Sequence, residues 1–485
     1  MQETGRPEAG RNTSHPMQEN QDLERIFKAQ KTAFSRNSMP GADERIGHLK
    51  RLKKALVQHK ECIIAAIHAD YSGRSRDETL LGELLPSVEG LGFAIRRVRR
   101  WMKPDRRRAG VLFQPARARV YYQPKGVVGI IVPWNYPLYL LIGPLTGALA
   151  AGNRVMIKTS RRAAETGKVF QEMIREVFAP DHVAVFTGQK GLGSAFMEKP
   201  WDHLMFTGST SVGREIMRSA AKHLTPVTLE LGGKSPAIIG PRAPMADAAE
   251  RIAFGKQFNG GQTCVAPDYV LCPQDRVSEF VEAFQGCVSR MVPTMAANPQ
   301  YTSMIDSRAY EQVTALLDDA RTKGARVVEV NSSRDLFQGT RKLPLYVMLD
   351  VTDDMQVMQE EIFGPVLPVI PYQGLQHAAA YVNARPRPLA LYFFDYRREN
   401  IAYILTHTHS GGALINDTLM HVAQDDLPFG GIGDSGMGAY HGKEGFLTFS
   451  HAKGVMMRPR FNSARYINPP YGKWMHRMVY RFFVR

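Results

Sequence analysis

Val127-Val128-Gly129-Ile130-Ile131-Val132 is an unbroken apolar run, the pattern a parallel strand takes when both of its faces are covered. The same grammar continues downstream. Helical apolar sequence runs from Leu138 to Ala151, then Arg154-Val155-Met156-Ile157-Lys158, a helix from about Ala163 to Phe178, Val183-Ala184-Val185-Phe186, and His203-Leu204-Met205-Phe206. Strands separated by helices of this length build βαβ units and a doubly wound α/β sheet. A second α/β unit begins near Glu230. It has strands at Ala237-Ile238-Ile239, Tyr269-Val270-Leu271, Val327-Val328-Glu329-Val330 and Leu389 to Phe394, with helices over Asp247 to Phe258 and Tyr310 to Lys323.

Upstream, Leu23 to roughly Trp101 reads as helix, with Leu49, Leu52, Leu56 and Ile63 recurring near helical spacing. Arg117 to Gln123 alternates like a strand between Pro115 and Pro124, which predicts an arm or hairpin. Val212, Ile216, Ala220 and Leu224 recur every four residues and predict one face of a helix. At the start, residues 1–20 are polar with Gly and Pro and lack the apolar core of a signal peptide, so a disordered tail is expected. Residues 461–485 form a basic aromatic C-terminal tail. It either packs on its own fold or makes a weak contact with an anionic membrane surface.

A chain of 485 residues exceeds the size at which single cores divide, so two or three domains are expected. Hydrophobic content of 44% beside 22% charged residues fits a soluble globular protein. Cys62, Cys264, Cys272 and Cys287 offer no disulfide framework and no CxxC metal pair, which points to a reducing, cytoplasmic setting. The 62 basic and 46 acidic residues leave +16, a balance that raises acidic partners. Its densest part, Arg96 to Arg108, reads as a solvated helix face ending at Pro104, and no recognition motif for a specific nucleic acid accompanies it. No run approaches the roughly 18 apolar residues of a membrane span.

The chemistry gathers at Phe258-Asn259-Gly260-Gly261-Gln262-Thr263-Cys264, a glycine-relieved turn that offers one thiol. A lone cysteine is as a rule a buried structural residue. Glu230 in Leu229-Glu230-Leu231-Gly232-Gly233-Lys234 and Asn135 in Pro133-Trp134-Asn135-Tyr136-Pro137 change that reading, because a nucleophile, a carboxylate base and an amide donor are the parts acyl chemistry requires. Gly208-Ser209-Thr210-Ser211-Val212-Gly213 stands where a strand hands over to a helix, and its glycines admit a phosphate to backbone N–H groups. A structural turn fits the same glycines equally well. His407 and His409 lack a third ligand near in sequence, so no metal site is expected.

In this order the motifs resemble the aldehyde dehydrogenase superfamily from about Ile26 to the 450s. Gly261 to Tyr269 and Gly436-Met437-Gly438-Ala439-Tyr440-His441-Gly442-Lys443 look like its dimeric class-three branch, and Asn416 to Phe429 is similar to bacterial coniferyl aldehyde dehydrogenases. The resemblance implies a Rossmann-like NAD(P)-binding domain from residues 21–111 and 126–229 and a catalytic domain over 230–412. It adds a small β oligomerisation arm and closing segment from 112–125 and 413–460, which would pair subunits into a homodimer. It assigns Cys264 as nucleophile, Asn135 as oxyanion donor and Glu230 as the base that activates water. Around the cofactor it places Trp134 near the site, Lys158 on the adenosine ribose, Ser209 on the pyrophosphate, Glu361 on the nicotinamide ribose and Phe363 against the nicotinamide. Where the family commonly has Lys-Pro-Ser-Glu, this chain has Lys158-Thr159-Ser160-Arg161. An arginine there can pair with a 2′-phosphate, so use of NADP at least comparable to NAD is expected. The implied activity is oxidation of an aromatic aldehyde such as coniferaldehyde, or of a medium-to-long aliphatic aldehyde, to its acid. A semialdehyde dehydrogenase is the alternative within the family. A non-catalytic nucleic-acid- or membrane-surface-binding protein on the same scaffold is the alternative of another kind.

Overall fold

The run at Val127 forms a strand over Val127–Ile131 with all five residues buried, and the chain builds three sheets around it and its successors. The computed structural model describes residues 16–188, 191–461 and 463–484. In chain order the strands are β1 (Asp105–Arg107), β2 (Arg117–Pro124), β3 (Val127–Ile131), β4 (Arg154–Lys158), β5 (Val183–Phe186), β6 (His203–Gly208), β7 (Val227–Leu231) and β8 (Pro236–Ile239). They continue as β9 (Tyr269–Pro273), β10 (Arg326–Val330), β11 (Leu345–Leu349), β12 (Val366–Tyr372), β13 (Ala390–Phe394), β14 (Gly412–Ile415), β15 (Gly436–Met437) and β16 (Ser450–Met457).

The first sheet has the order β15-β7-β6-β3-β4-β5. Its strands are parallel except β15, which pairs antiparallel with β7 and sets Gly436 opposite Glu230. The connection reverses direction between β3 and β6, and a crevice opens outside the carboxyl ends of strands at such a switch point. The second sheet, β10-β11-β12-β9-β8-β13-β14, is parallel except for its edge strand β10. The third, β1-β2-β16, is antiparallel, so the arm read at Arg117 pairs residue for residue with Ser450–Met457 of the same chain.

Helices cover the first sheet. Leu49, Leu52, Leu56 and Ile63 are fully buried, as their spacing predicts. The helix Leu85–Trp101 stops before Pro104 and leaves Arg96, Arg99 and Arg100 exposed. Two expectations are corrected. The helix after β6 spans Thr210–Ala221 and buries Ile216 and Ala220, but Leu224 takes a left-handed turn (φ 53) towards β7 and is 89% exposed, so it does not extend the helix face. Residues 1–15 of the expected tail lie outside the described residues, and a helix already begins at Pro16 and runs to Arg36. The C-terminal stretch contains a helix, Trp474–Phe483, with Trp474, Tyr480, Phe482 and Phe483 exposed. Among the described residues no helix is long and apolar enough to cross a membrane.

Candidate active site

Strand ends converge on the crevice. β3 runs out into Pro133-Trp134-Asn135, β6 into Ser209, and β7 carries Glu230 one residue before its end. Trp134, Asn135, Gly208, Ser209, Glu230, Cys264, Glu361 and Phe363 line one cavity of about 220 Å³. Three residues singled out in the sequence are not on its wall. Lys158 closes β4, and Arg161 is exposed just beyond it. Gly213 is buried under Leu231, where a Cβ would come within 2.7 Å of that side chain. That clearance serves helix-to-strand packing.

The turn presenting Cys264 strings three left-handed residues together, Asn259 (φ 55), Gly260 (φ 60) and Gly261 (φ 74). A Cβ on Gly261 would lie 2.4 Å from the Gly364 carbonyl oxygen, so the close approach of these two loops requires glycine. Asn259 Nδ2 donates to the carbonyls of Asn135 and Gln262, each at 3.1 Å. Gln262 Nε2 donates to the Ser303 carbonyl at 3.0 Å, and its Oε1 accepts from the Ile305 N–H at 2.9 Å. The Asn135 carbonyl also accepts from the Tyr71 hydroxyl at 3.0 Å and Arg74 Nη1 at 3.1 Å, and Arg74 forms a fully buried ion pair with Glu83 at 2.8 Å. With its backbone fixed in this way, Asn135 donates one side-chain N–H to the Gln262 carbonyl at 3.3 Å. A primary amide has a second N–H, which is left for an oxygen in the cavity.

Burial pushes the Cys264 thiol up to about 12, the charges of Glu361 and Glu230 add to the rise, and the N–H groups of Cys264 and Val265 oppose it. Unaided, the side chain is therefore a thiol, and N–H groups that oppose the rise are the donors a developing negative charge needs. Glu230 is buried with both carboxylate oxygens unpartnered, and burial raises its pKa well above the ordinary carboxylate range. Glu361 is raised to about 8, first by burial and then by the Asp268 charge. Its loop is tied to the Leu231-Gly232-Gly233-Lys234 segment. Lys234 is ion-paired with Asp268 and donates to the Glu360 carbonyl at 2.9 Å, while Asp268 accepts from the Ile362 N–H at 3.0 Å. Gly232 lets Glu361 approach, since a Cβ there would stand 1.9 Å from Glu361 Oε2.

Arg162 is a wall residue that the sequence did not disclose. Its guanidinium lies 4.6 Å over the Trp134 ring, and its Nε donates to Asp306 at 2.5 Å. Asp306 is remote in sequence, so no local spacing announces the pair. Among the described residues no carboxylate pairs with Lys158 or Arg161; burial lowers the Lys158 pKa, and the charge of Arg161 adds to the fall. His407 donates Nδ1–H to the Tyr403 carbonyl at 2.8 Å and stacks on that ring. No group of metal-ligating residues occurs among the described residues.

A second cavity of about 400 Å³ also reaches Cys264, and Thr207, Glu230 and Cys264 belong to both walls. Its lining is mostly apolar, including Leu81, Leu85, Tyr136, Phe254, Phe258, Leu419 and Phe429, with Glu89 as its one other charged residue.

A doubly wound sheet with a crevice at its switch point, where a thiol and a buried carboxylate meet an apolar cavity, has the build of a nucleotide-binding α/β enzyme. The aldehyde dehydrogenase family pattern matches residues 7–455. A probable coniferyl aldehyde dehydrogenase of Pseudomonas aeruginosa is 56% identical over 96% of this chain and 98% of its own length. The coniferyl aldehyde dehydrogenase of Pseudomonas sp. (strain HR199) is 44% identical over 90% and 91% of the two chains. The solved substrate-bound Staphylococcus aureus AldH superposes with a TM-score of 0.89 at 33% identity, over 95% of this chain and 99% of that one. The chain belongs to the aldehyde dehydrogenase family, and its activity is the NAD(P)-dependent oxidation of an aldehyde.

Proposed function

We propose that the substrate is an aromatic aldehyde of the coniferaldehyde kind or a medium-to-long aliphatic aldehyde, oxidised to its acid on Cys264. One observation carries this reading: Cys264 and Glu230 stand where an apolar funnel meets the nucleotide-sized cavity. The names of the two coniferyl relatives support the aromatic choice. A semialdehyde would bring a carboxylate into the funnel, where no Lys, Arg or His among the described residues lines the wall to receive it.

Once deprotonated, Cys264 Sγ bonds to the aldehyde carbon, and the carbonyl oxygen takes the negative charge. Asn135 Nδ2–H and the Cys264 N–H hold that oxygen. When bound, NAD(P)+ would supply the hydride acceptor, and loss of hydride leaves the adduct as a thioester on Cys264. Glu230 then takes a proton from water, the water oxygen bonds to the acyl carbon, and the C–S bond breaks to return the thiolate. Retention of Glu230 favours this hydrolysis over acyl transfer to CoA. The chain fits the cofactor through the free first turn of Thr210–Ala221, where Ser209 makes no capping bond, and through the unpartnered Oε1 of Glu361. Ser209, Glu361, Phe363 and Trp134 would hold it, with Lys158 and Arg161 at its adenosine end.

Absorbance at 340 nm with NAD and NADP in parallel, over short aliphatic aldehydes, hexanal and coniferaldehyde, tests the reading. Preference for short aldehydes overturns the substrate class. Asn135→Ala is expected to lower kcat by about 10²- to 10³-fold, or ~2.7–4 kcal/mol, as one oxyanion donor is lost. Arg161→Glu is expected to cut the NADP-to-NAD ratio of kcat/KM by about 10- to 100-fold, the worth of one charge-assisted hydrogen bond. An unchanged ratio removes Arg161 from cofactor choice. The proposal includes a cytoplasmic homodimer paired through the β1-β2-β16 arm, with at most weak contact between the C-terminal helix and an anionic membrane. Light scattering and vesicle sedimentation check these two points.

A further inference from the structure

The segment after β15 carries a buried hydroxyl that the mechanism has not used. Gly436 pairs with Glu230 across β15 and β7, and four residues later Tyr440 turns back into the core, 1% exposed. Its backbone is fixed on both sides. The Tyr440 N–H donates to the Phe429 carbonyl at 2.8 Å, and the Phe429 N–H donates to the Tyr440 carbonyl at 3.1 Å. The ring packs edge-on to Phe429 at 5.8 Å and to His441 at 4.3 Å. Gly143 makes room for it, since a Cβ there would sit 3.1 Å from the ring. Yet the phenol oxygen has no hydrogen-bond partner, and neither does either oxygen of Glu230. Tyr440 is near enough for the charges of Glu230 and Cys264 to bear on its hydroxyl. A buried donor and a buried acceptor left unpaired in the same part of the core each cost stability, and a state in which they meet would relieve both.

We propose that Tyr440 is the positioning residue of the general base: its O–H donates to the Glu230 carboxylate, directly or through one water, when that group is ionised. This rests on the assignment of Glu230 as the base. Before hydrolysis the carboxylate must exist as an anion in a site that disfavours it, and the tyrosine offers it a donor without adding a positive charge. The titratable groups around the pair are Cys264 on its turn, Tyr139 on the helix Tyr139–Ala151, Glu361 beyond Cys264, and His421, which packs on the Phe429 ring as Tyr440 does. His441 adjoins Tyr440, but its Nε2 is engaged with the Tyr139 hydroxyl at 3.3 Å. No donor, Tyr440 included, lies within hydrogen-bond distance of Glu230 in this structure, so the contact forms only on a small movement or through a water. The proton that Glu230 takes from water stays on the carboxylate while Cys264 is expelled as thiolate, and Tyr440 neither gains nor loses one.

Tyr440→Phe keeps the ring and removes only the hydroxyl. Rapid mixing of this variant with aldehyde and cofactor should show a burst of reduced cofactor, one per active site at close to the wild-type rate, followed by a steady state about tenfold slower or more. The acid limb of the kcat profile should move to higher pH by about one unit, the equivalent of that tenfold change. Hydroxylamine, which attacks a thioester without a general base, should restore the steady-state rate. A kcat and pH profile within twofold of wild type overturns the proposal, as does equal slowing of burst and steady state, the mark of simple packing loss. Glu230→Gln run alongside separates the two layers. If it turns over normally, the base assignment falls and Tyr440 with it; if it stalls after the burst while Tyr440→Phe is normal, only the role of Tyr440 is lost.

Discussion

Cys264→Ala is expected to lower kcat for aldehyde oxidation by about 10⁶-fold, the scale on which loss of a covalent nucleophile acts, while cofactor binding and folding persist. The size follows from chemistry: without Sγ no adduct forms, so there is no oxyanion for Asn135 to hold and no tetrahedral carbon to release a hydride. Persistence of the fold follows from position. Cys264 lies between two cavities and is partly accessible, so removing the sulfur enlarges existing space instead of opening a void in packed core. The other thiols offer no replacement, because Cys272 and Cys287 are buried in the core and Cys62 lies on an exposed helix surface. The checks are reduced-cofactor production at 340 nm, cofactor titration by fluorescence and a thermal melt. Residual turnover above about 1% of wild type moves the chemistry to another group. The thiol, held up at about 12, also gives the wild-type enzyme a sign to test. The rate of adduct formation should climb with pH wherever thiolate supply limits it, because the reactive form is the minority species at neutrality.

β3, β4, β5 and β6 were legible because both faces are covered and the residues read as largely apolar runs, whereas β7, with Thr228 and Glu230 in its five residues, and the two-residue β15 were not. Nor was β12. Its Val366-Leu367-Pro368-Val369-Ile370-Pro371-Tyr372 holds two prolines, which ordinarily argue against an inner strand, yet it lies between β11 and β9. Parallel neighbours and burial overrode the local signal there. Glu230, Cys264 and Asn135 were legible because each sits in a short motif with a distinctive chemistry. Asn259, Gln262 and Arg162 were not, since what makes them matter is a partner far along the chain: the Asn135 carbonyl, the Ser303 carbonyl and Asp306. The packing of Gly213 was hidden for the same reason. A glycine at a strand-to-helix junction serves phosphate approach or side-chain clearance, and only the position of Leu231 decides between them.

Glu230→Gln should separate the two halves of the reaction and, unusually for an active-site change, raise stability at alkaline pH. Acylation needs no base from this residue, so the first equivalent of reduced cofactor should form in a burst. The steady state should then fall by about 10²- to 10⁴-fold, the range that general-base catalysis contributes, with acyl-enzyme visible as added mass on Cys264. A single-phase time course at the wild-type rate assigns the base elsewhere. The stability effect comes from linkage. Burial raises the folded-state pKa of Glu230 well above its unfolded value, so between those two values the native chain binds more protons than the unfolded chain, and stability falls as pH rises. Below the unfolded pKa both states hold the proton and that loss is absent; above the folded pKa it is complete. Glutamine cannot ionise and escapes the loss altogether. Thermal melts should therefore show the two proteins close together near pH 5 and the variant increasingly ahead towards pH 9, with parallel curves arguing that Glu230 is solvated in solution. The same strain that weakens the fold at high pH keeps the base ready: a carboxylate comfortable as an anion would have little drive to take a proton from water, and burial without a salt-bridge partner supplies that drive.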